Sequence, residues 1–545
     1  MRGRDGFFHP STEDELRALV RHARRAGVRL RVRGSAHSIA RAIYTDPSVA
    51  GEGGGGPHVD VMLDRYAKVV ELNDPRMRVT VQAGCHLGLD PRDPTRSSTW
   101  ETSLLAQLEA RGWALPDLGG VTHQTVSGFL MTGSCGGSVV HSIEESVVAL
   151  RLIDGTGTVH TLEREDDPPF FAALCSMGLL GVVSTITFQC VRAYDILGRE
   201  DVTDEPDCAY ELFGDGERGL EGFLRRTEYA RLMWWPQEHV RRVVTWQARR
   251  MRPQDYDTRT GPPSAFRPKP YSVLGDAIES ARLSRVANAG GQMLGGLFYD
   301  SVALASPTSR ARAWAATVPG ARRAISSPIG RRAKEIAGEA FTRRVLPAVL
   351  RPFVPVGAQQ FWDRGCHGLP MDNQMSESSL PTEFTEIWVP LDRTGEVLRA
   401  LRAHYDRHGY AATGAFICEI YAARATRSWM HPGYERDSLR IDLFWFARNP
   451  GDPTRGWFVQ FWELLRPFGY RLHWGKHLPA DPELGWRYLR RQTPRWDDFL
   501  DLRARLDPSD VFLTPYWRSA LGVGARRADG VYVSSSPGAP LERRG

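Results

Sequence analysis

No stretch of about 18 consecutive apolar residues occurs in this 545-residue sequence, so we expect no membrane-spanning helix. The first residues, MRGRDGFFHPSTEDEL, lack the apolar core of a secretory signal peptide. The seven cysteines are scattered and form no C-x-x-C pair. This pattern argues against a disulfide framework and against a bound structural metal, and it favours the reducing cytoplasm.

Lysine is scarce: only four lysines (68, 269, 334 and 476) occur among 70 basic residues. The net charge of +6 is small for this length, and the arginines are spread along the chain without an aromatic-rich basic cluster. We therefore predict no nucleic-acid partner. Because the sequence uses Arg wherever a cation only has to be solvated, a Lys in a motif indicates that an ammonium group is required there.

A helix, a strand and a small-residue loop open the chain. Thr12 and Glu15 form a capping-box pair, apolar residues follow at helical spacing, and Gly27 ends the predicted helix. Residues 28–32 alternate as a strand that runs into the loop GSAHS (34–38). Such a loop exposes several backbone N–H groups, which suits a pyrophosphate, but alone it is also typical of an ordinary turn.

The segments that follow strengthen the first interpretation. VTVQAG (79–84) predicts a strand and turn, and a short helix around Leu104 and Leu108 precedes LPDLGG (115–120). The stretch QTVSGFLMTGSCGGS (124–138) lacks side-chain bulk where backbone would approach a ligand. Residues 147–162 predict a hairpin, and GLLGVVSTITF (178–188) predicts a glycine turn into a buried strand.

In this order and spacing, the segments resemble the aldonolactone and alditol oxidases of the vanillyl-alcohol oxidase superfamily. The resemblance covers nearly all of residues 8–190 and resumes near the C-terminus. It implies an α+β fold, with a two-subdomain FAD-binding domain of the PCMH type and a substrate (cap) domain whose antiparallel sheet is flanked by helices. It does not imply a classical Rossmann fold, and no G-x-G-x-x-G follows a strand.

His37 matches the family histidine that bonds covalently to the 8α carbon of the flavin. An imidazole nitrogen is a competent nucleophile near neutral pH; the alternative is a loop histidine that is only hydrogen-bonded. The resemblance places further residues at the FAD: Gly34, Ser35, Ala36, Ser38, Gly119, Gly120, Thr125, Gly128, Thr132, Gly133, Ser134, Cys135, Gly136, Val182 and Lys476.

Two of these positions bear on reactivity. Gly119 matches a position beside the flavin that gates oxygen, where glycine leaves room for dioxygen; a merely flexible turn is the alternative. Cys135 stands where many relatives have histidine. A second covalent link to the flavin is conceivable there, but a buried inert thiol is favoured.

The C-terminal half carries the predicted catalytic residues Glu419, Tyr421, His473 and Lys476. CEIY (418–421) and RLHWGK (471–476) resemble family segments of the substrate domain, and residues 386–390 match a family strand of unassigned role. We expect Lys476 to stabilise negative charge at the flavin N1–C2=O edge; a surface Lys–Glu pair is the alternative. Glu419 is expected to position the substrate hydroxyl or accept its proton, and an Arg-paired carboxylate without that role is the alternative.

Several family positions that bind sugar hydroxyls are changed in this sequence. Tyr421 replaces an Arg, Phe444 a Thr and Gly120 a Ser, while Asp442 replaces a His. The groups that would hold successive hydroxyls are thus mostly aromatic or small. We therefore expect a larger, more apolar alcohol rather than an unmodified sugar lactone or alditol.

The domain division predicted from these segments has three parts. Residues 1–192 bind FAD, residues 193–495 form the cap with an insertion at about 250–356, and residues 496–545 pack back on the FAD domain. The insertion contains basic, apolar stretches that favour ordinary amphipathic helices over a membrane-surface contact.

The predicted function is FAD-dependent oxidation of an alcohol carbon, with dioxygen as the acceptor. The partners are a small-molecule substrate and dioxygen. Two alternative reactions are reduction or desaturation of a C=C bond, as in sterol-reductase relatives, and oxidation of a sugar-1,4-lactone. A non-enzymatic flavin-shaped module is a third interpretation, which absence of bound flavin would favour.

Overall fold

The computed structural model describes residues 2–46, 57–164, 168–257, 264–266, 351, 354–373, 382–408, 417–447 and 451–524. Of the predicted insertion at 250–356, only residues 250–257, 264–266, 351 and 354–356 are among them. Among the described residues, no helix is both long and apolar enough to cross a lipid bilayer.

The N-terminal part combines a parallel strand pair, a larger antiparallel sheet and short helices. In the described residues the larger sheet has five strands in the order β3-β4-β8-β6-β7, and β1 pairs with β2 in parallel. The strands are β1 (Leu30–Arg33), β2 (Val59–Met62), β3 (Val69–Asn73), β4 (Arg78–Gln82), β5 (Trp113–Ala114), β6 (Val147–Ile153), β7 (Val159–Glu163), β8 (Val182–Gln189) and β9 (Val191–Arg192). The helices are α1 (Glu13–Ala26), α2 (Ala40–Ile43), α3 (Leu104–Glu109), α4 (Val126–Met131) and α5 (Pro168–Ala173).

The second part is built on a large antiparallel sheet. As far as the chain is described, this sheet has eight strands in the order β13-β10-β12-β11-β15-β16-β14-β17. They are β10 (Asp195–Asp204), β11 (Tyr229–Trp235), β12 (Arg242–Arg250), β13 (Gly357–Arg364), β14 (Thr382–Pro390), β15 (Cys418–Ala423), β16 (Ser438–Phe446) and β17 (Arg471–Leu472). The helices are α6 (Leu220–Arg226), α7 (Pro253–Asp257), α8 (Gly365–Gly368), α9 (Thr394–His408), α10 (Trp457–Leu465), α11 (Trp486–Gln492), α12 (Trp496–Leu506) and α13 (Pro515–Ala520).

The local signals at the start of the chain produce the predicted elements. The Thr12 hydroxyl accepts a hydrogen bond from the Glu15 N–H (3.2 Å), and Gly27 ends α1 in the left-handed conformation, with φ of 65°. The predicted strands at 28–32, 79–84 and 178–188 are confirmed as β1, β4 and β8, and the predicted hairpin is β6–β7. The α+β fold expected from the resemblance is confirmed, with its large antiparallel sheet.

The central strands of the large sheet are buried on both faces. All residues of β11 and β15 are buried. One face packs against α9, where the rings of Trp234 and Tyr405 meet edge to face at 5.7 Å. Because side chains alternate between the faces of a strand, the neighbouring residues Arg231, Met233, Glu419 and Tyr421 point to the other face.

The end of the described chain returns to its beginning. The Leu30 N–H donates to the Val511 carbonyl (2.8 Å), and the Trp517 indole donates to the Ala42 carbonyl (2.9 Å). The buried Asp507 carboxylate accepts the N–H groups of Val511 and Phe512, at 2.8 and 2.9 Å. The turn after α12 is therefore held in the shape that reaches β1.

Candidate active site

A cavity that opens to solvent, with about 830 Å³ of empty space counting its open mouth, lies between β1, the loop after it, α4 and the turn before β8. The sequence-predicted FAD residues among its lining are Gly34, Ser35, Ala36, His37, Ser38, Gly128, Thr132 and Val182. Four of the lining residues are glycines (34, 128, 178 and 181), so backbone comes close to whatever fills the cavity.

Thr125 shows why glycine is needed at two neighbouring positions of the cavity wall, Gly34 and Gly128. It caps α4 by accepting the Gly128 N–H (3.2 Å). A Cβ at Gly34 would lie 2.5 Å from the Thr125 hydroxyl oxygen, and one at Gly128 would lie 2.9 Å from it. Walls in which backbone replaces side-chain bulk suit the close approach of a dinucleotide such as FAD.

Buried Arg31 fastens the two sides of the cavity to each other. Its guanidinium donates to the carbonyls of Ala42 (2.7 Å) and Met177 (2.8 Å). Burial lowers the pKa of Arg31 to about 10, so the side chain remains charged at neutral pH. No motif in the sequence signalled this residue, because its contacts are to backbone atoms distant along the chain.

His37 lies at one end of the cavity and carries a neutral imidazole. Burial, then the positive charges of Lys476 and Arg92, lower its pKa well below the usual value. Its Nε2 lies 3.4 Å from the Arg92 guanidinium, and its ring lies 5.8 Å from that of His123. A neutral imidazole has a nucleophilic nitrogen, which suits covalent attachment.

Lys476 and His473 are brought to this end from the C-terminal part of the chain. The Lys476 ammonium donates to the His37 carbonyl (3.1 Å) and lies 3.9 Å from the centre of the Phe384 ring. His473 Nε2 lies 3.2 Å from the Ser134 hydroxyl. Burial lowers the pKa of His473 to about 4, so this imidazole is neutral. Lys476 therefore contacts the His37 loop.

Glu419 lies in one of two neighbouring rows of side chains on the face of the large sheet opposite α9. One row pairs Arg231, Tyr421, Arg440 and Trp388 across four adjacent strands. The other row pairs Met233, Glu419, Asp442 and Glu386 across the same strands. Cross-strand partners share a face of an antiparallel sheet, so the two rows form one surface.

The carboxylate of Glu419 lies in a nearly enclosed polar cluster. It accepts a hydrogen bond from the Tyr421 hydroxyl (2.9 Å) and lies 3.6 Å from the Arg231 guanidinium, which forms a closer ion pair with Asp372. Burial and the nearby Asp372 raise the pKa of Glu419 to about 7. A carboxyl group with this pKa can both accept and release a proton near neutral pH.

The neighbouring acids differ from Glu419 and from each other. Burial alone would raise the pKa of Glu386, but Arg440, His473 and Lys476 outweigh it and hold the pKa at about 2. Arg440 Nε lies 3.0 Å from the Glu386 carboxylate. Burial and the negative charge of Glu386 raise the pKa of Asp442 well above its usual value. The surface therefore keeps Glu386 ionised and favours a protonated Asp442.

The glycine loops predicted to face the flavin lie against this surface. A Cβ at Gly120 would be 2.6 Å from Asp372 Oδ2 and 3.3 Å from the Tyr421 hydroxyl, and one at Gly119 would be 2.9 Å from the Phe129 ring. The Cys135 carbonyl accepts from Arg440 (3.0 Å), and burial raises the pKa of the Cys135 thiol to about 12. That pKa matches the inert thiol favoured from the sequence.

Asp117 joins the two glycine loops. Its carboxylate accepts the Gly136 N–H (3.1 Å) and leaves no room for a side chain at Gly136. Burial raises the pKa of Asp117 to about 7. Gly133 is also closely covered, since a Cβ there would meet Pro432 at 3.0 Å.

The predicted residues thus fall into two groups. Residues 34–38, Gly128, Thr132 and Val182 line the cavity, and Thr125 caps α4 beside it. Gly120, Cys135 and Gly136 contact the sheet surface that carries Glu419 and Tyr421, whereas Gly119, Gly133 and Ser134 contact Phe129, Pro432 and His473. Lys476 links the two groups through His37. Sequence reasoning missed Arg231, Asp372 and Arg440, and only the matched strand at 386–390 pointed to Glu386.

One cluster of potential metal ligands lies elsewhere. Ligand atoms of Glu109, Cys366 and His367 lie within 4.8 Å of one another. Glu109 already forms a close ion pair with Arg364, and burial raises the pKa of the Cys366 thiol to about 12. Neither feature favours a metal ion.

Two family models match parts of the chain. A model described as "FAD binding domain" matches residues 5–89 and 99–163. A model described as "D-arabinono-1,4-lactone oxidase" matches residues 344–520. The first match covers the cavity-forming loop at 34–38, and the second covers Asp372, Glu419 and Lys476.

Similar proteins extend over almost the whole chain. A putative D-arabinono-1,4-lactone oxidase of Neurospora crassa is 28% identical over 551 residues, covering 94% of this chain and 83% of the relative. An L-gulono-1,4-lactone dehydrogenase of Mycobacterium tuberculosis is 25% identical, covering 95% of this chain and 96% of the relative. The solved structure of cholesterol oxidase from B. sterolicum has a TM-score of 0.60 at 14% identity, covering 94% and 93% of the two chains, which is a likeness of fold.

Proposed function

This chain belongs to the FAD-linked oxidases of the vanillyl-alcohol oxidase superfamily, and from that premise we propose that it oxidises the CH–OH group of a small molecule at the Glu419 surface. When bound, FAD supplies the hydride acceptor, N5 of its ring system. The chain's own residues bind and orient FAD in the glycine-lined cavity and handle the proton of the substrate hydroxyl. The observation that carries the proposal is the position of Lys476, which joins the His37 loop to the surface that carries Glu419.

We propose that His37 holds the flavin through a bond between an imidazole nitrogen and the 8α carbon. Its place at the cavity end and its neutral ring support this role. The adjacent Lys476 ammonium contributes a positive charge that stabilises negative charge developing on the flavin. Dioxygen is the proposed final acceptor, with Gly119 leaving space for it, and the cytoplasm is the proposed compartment.

Glu419 is proposed to accept the proton of the substrate hydroxyl. Its pKa of about 7 makes it a base of useful strength at neutral pH, and the Tyr421 hydroxyl orients it. Its side chain is 11% exposed, so it is accessible from one direction while mostly shielded from water. The Arg231 guanidinium lies 3.6 Å from this carboxylate.

The substrate is proposed to have a relatively apolar body. The aromatic rings of Phe384 and Phe444 pack at 4.9 Å on the same face of the sheet, beside Lys476. Tyr421 occupies the position of a family arginine. These rings offer apolar surface and few partners for successive sugar hydroxyls.

A sugar-1,4-lactone is the second candidate substrate. Arg231 and Arg440 stand directly opposite Tyr421 on the two neighbouring strands, so guanidinium groups remain near the position where the family arginine is lost. The matched family model and the relatives named lactone oxidase or lactone dehydrogenase support this candidate.

The deciding experiment is an oxygen-electrode screen of alcohols and sugar-1,4-lactones, followed by pH profiles of the Glu419→Gln enzyme. We expect wild-type kcat/KM to rise with pH through about 7, because Glu419 must lose its proton to act as a base. Glu419→Gln should lower kcat by about 100-fold or more and remove that rise. Glu383→Gln is the matched control, since this acid of the same sheet lies on the other face.

The Tyr421→Phe variant tests the direction in which the pH dependence of kcat/KM shifts. The Tyr421 hydrogen bond lowers the pKa of Glu419, so its loss should move the rise in kcat/KM to higher pH. An unchanged profile in both Glu419→Gln and Tyr421→Phe would remove Glu419 from the reaction. Oxidation of neither alcohols nor lactones by flavin-loaded protein, with turnover of a C=C substrate, would favour the reductase or desaturase alternative.

A further inference from the structure

The short segment Met371–Asn373 brings an extra carboxylate to the Glu419 surface. The Asp372 N–H donates to the Gly120 carbonyl (2.8 Å), and the Asn373 side chain accepts from the Thr122 N–H (2.8 Å) and donates to the Thr122 hydroxyl (2.9 Å). These three bonds fix the segment on the loop that the sequence placed at the flavin. Asp372 is therefore held in a defined position by backbone contacts as well as by its own charge.

Asp372 is oriented by a buried arginine. Arg231 is only 1% exposed and directs its guanidinium at Asp372 Oδ1, with Glu419 at 3.6 Å. In the sheet, Arg231 stands directly opposite Tyr421. Arg231, on the neighbouring strand, thus brings a positive charge close to Tyr421, the position where the family has an arginine. That charge already forms an ion pair with Asp372.

The groups that remain accessible at this point are hydrogen-bond acceptors. The side chains of Asp372 and Glu419 are 15% and 11% exposed, whereas Arg231 is almost completely covered. Asp372 Oδ2 lies over Gly120, 2.6 Å from where a Cβ would stand. A carboxylate on a ligand would be repelled by these two acids, whereas a hydroxyl or ammonium group could donate a hydrogen bond to them.

We propose that Asp372 is a specificity-determining residue, which accepts a hydrogen bond from a second donor group carried next to the reacting CH–OH. The proposal rests on the proposed function and names its substrate class: diols and amino alcohols are preferred, and hydroxy acids are rejected. The shared chemistry is a hydrogen-bond donor on the carbon beside the carbinol. Arg231 positions Asp372 and does not itself reach the ligand.

Four compounds that differ only in this neighbouring group test the proposal. They are 1-phenylethane-1,2-diol, 2-amino-1-phenylethanol, 1-phenylethanol and mandelate, measured with the flavin-loaded protein by perturbation of flavin absorbance and by turnover. The diol and the amino alcohol should bind about 10-fold or more tightly than 1-phenylethanol, which is the usual effect of a hydrogen bond to a charged acceptor. Mandelate should bind more weakly than 1-phenylethanol.

Asp372→Asn should reverse the preference between the amino alcohol and mandelate. It removes the negative charge closest to Arg231 and leaves Glu419 at 3.6 Å, so mandelate loses the repulsion of Asp372 and should now bind more tightly than the amino alcohol. Asp372 also raises the pKa of Glu419, so the rise in kcat/KM should move to lower pH. The control Asp255→Asn removes an acid that is likewise paired with an arginine, Arg249 at 2.7 Å, and should preserve the original order.

A double variant keeps the test valid if Asp372→Asn does not fold. Arg231→Gln with Asp372→Asn removes both charges and should bind all four compounds with nearly equal affinity. Equal affinities in the wild type, or binding of none of the four compounds, would overturn the proposal. Turnover of 1-phenylethanol without the expected order would refute Asp372 alone, whereas the expected order of binding without turnover would refute the proposed function and leave Asp372 as the selector.

Discussion

The chemistry of His37 depends on its protonation, which its surroundings set. The imidazole lies between the cavity and two cationic side chains, Lys476 and Arg92. Burial and these charges disfavour the protonated form, so a nitrogen lone pair is available at neutral pH. The positive charges of Lys476 and Arg92 would repel a metal ion at His37 and disfavour the protonated imidazole that a salt bridge needs.

The prediction at this position is that His37→Ala releases its flavin on denaturation. Wild-type protein should keep yellow colour and flavin fluorescence on the denatured band, because the cofactor is bonded to the chain. His123→Ala is the matched control, since its ring lies 5.8 Å from that of His37 in the same site. Fully extractable FAD from the wild type, or release only from His123→Ala, would contradict the assignment to His37.

The acids around Glu419 show how surroundings give carboxyl side chains different pKa values. Glu386 and Asp442 are cross-strand partners, yet the pKa of Glu386 is held at about 2 and that of Asp442 is raised. Arg440 lies against Glu386, so the negative charge resides there and the neighbouring acid retains its proton. Of the three acids in this row, Glu419, with a pKa of about 7, is the one whose charge changes near neutral pH.

At the scale of elements, α4 connects the cavity to the loop at Gly119. Gly128 and Thr132 line the cavity, and Phe129 on the same helix closely covers Gly119. A helix this short is stabilised mainly by its cap and by burial of one side, here Thr125 and the buried Val126, Phe129 and Leu130. We therefore expect a larger side chain at Gly119 to affect both the proposed oxygen space and the packing of α4.

We predict that Gly119→Ala slows turnover with oxygen more than turnover with an artificial dye acceptor. The added methyl group would lie 2.9 Å from the Phe129 ring and would fill the space that we propose for dioxygen. Stopped-flow measurement of both reactions separates oxygen access from substrate oxidation. The double variant Gly119→Ala with Phe129→Leu relieves the packing contact. Recovery of oxygen turnover in that variant, or equal slowing with both acceptors, would mean that packing and not oxygen access is responsible.

At the scale of the whole molecule, the last described residues complete the FAD cavity. Phe512 lines the cavity together with Leu30 and Arg31 of β1. The turn that delivers Phe512 depends on Asp507, whose carboxylate accepts two backbone N–H groups and is completely buried. β1 and the turn at residues 507–512 are therefore stabilised as one unit.

Asp507→Ala is expected to lower the free energy of unfolding by about 2–4 kcal/mol, because two charge-assisted hydrogen bonds are lost and two buried N–H groups lose their acceptor. Asp507→Asn should cost less, since one acceptor oxygen remains. Thermal unfolding followed by circular dichroism measures both changes. Asp501→Ala, at an exposed position of α12, is the control and should change stability by less than about 0.5 kcal/mol. A melting temperature of Asp507→Ala equal to that of the control would show that the turn does not depend on this carboxylate.

The sequence by itself determined α1, β1, β4, α3, the β6–β7 hairpin and β8 of the FAD-binding part. It also indicated the candidate residues near the flavin. Thr12, Gly27 and the glycine loop at 34–38 act on residues a few positions away, so their effect is readable in the local pattern. The α4 helix was not predicted, because its small residues were interpreted only as room for a ligand. Glu419, His473 and Lys476 were found through motifs that resemble the family.

Only the tertiary structure decided which charges surround Glu419. Arg231 and Asp372 are 141 residues apart in the chain, and Arg440 reaches Tyr421 only through the register of two strands. Neither register nor the docking of Met371–Asn373 leaves a periodic signal in a single sequence. The sequence shows only that positions 120 and 421 lack the polar side chains of the family. In the fold, Arg231 from a neighbouring strand and Asp372 from a distant loop lie next to these two positions. The charges around Glu419 are therefore set by long-range packing, since charges act through space and not along the chain.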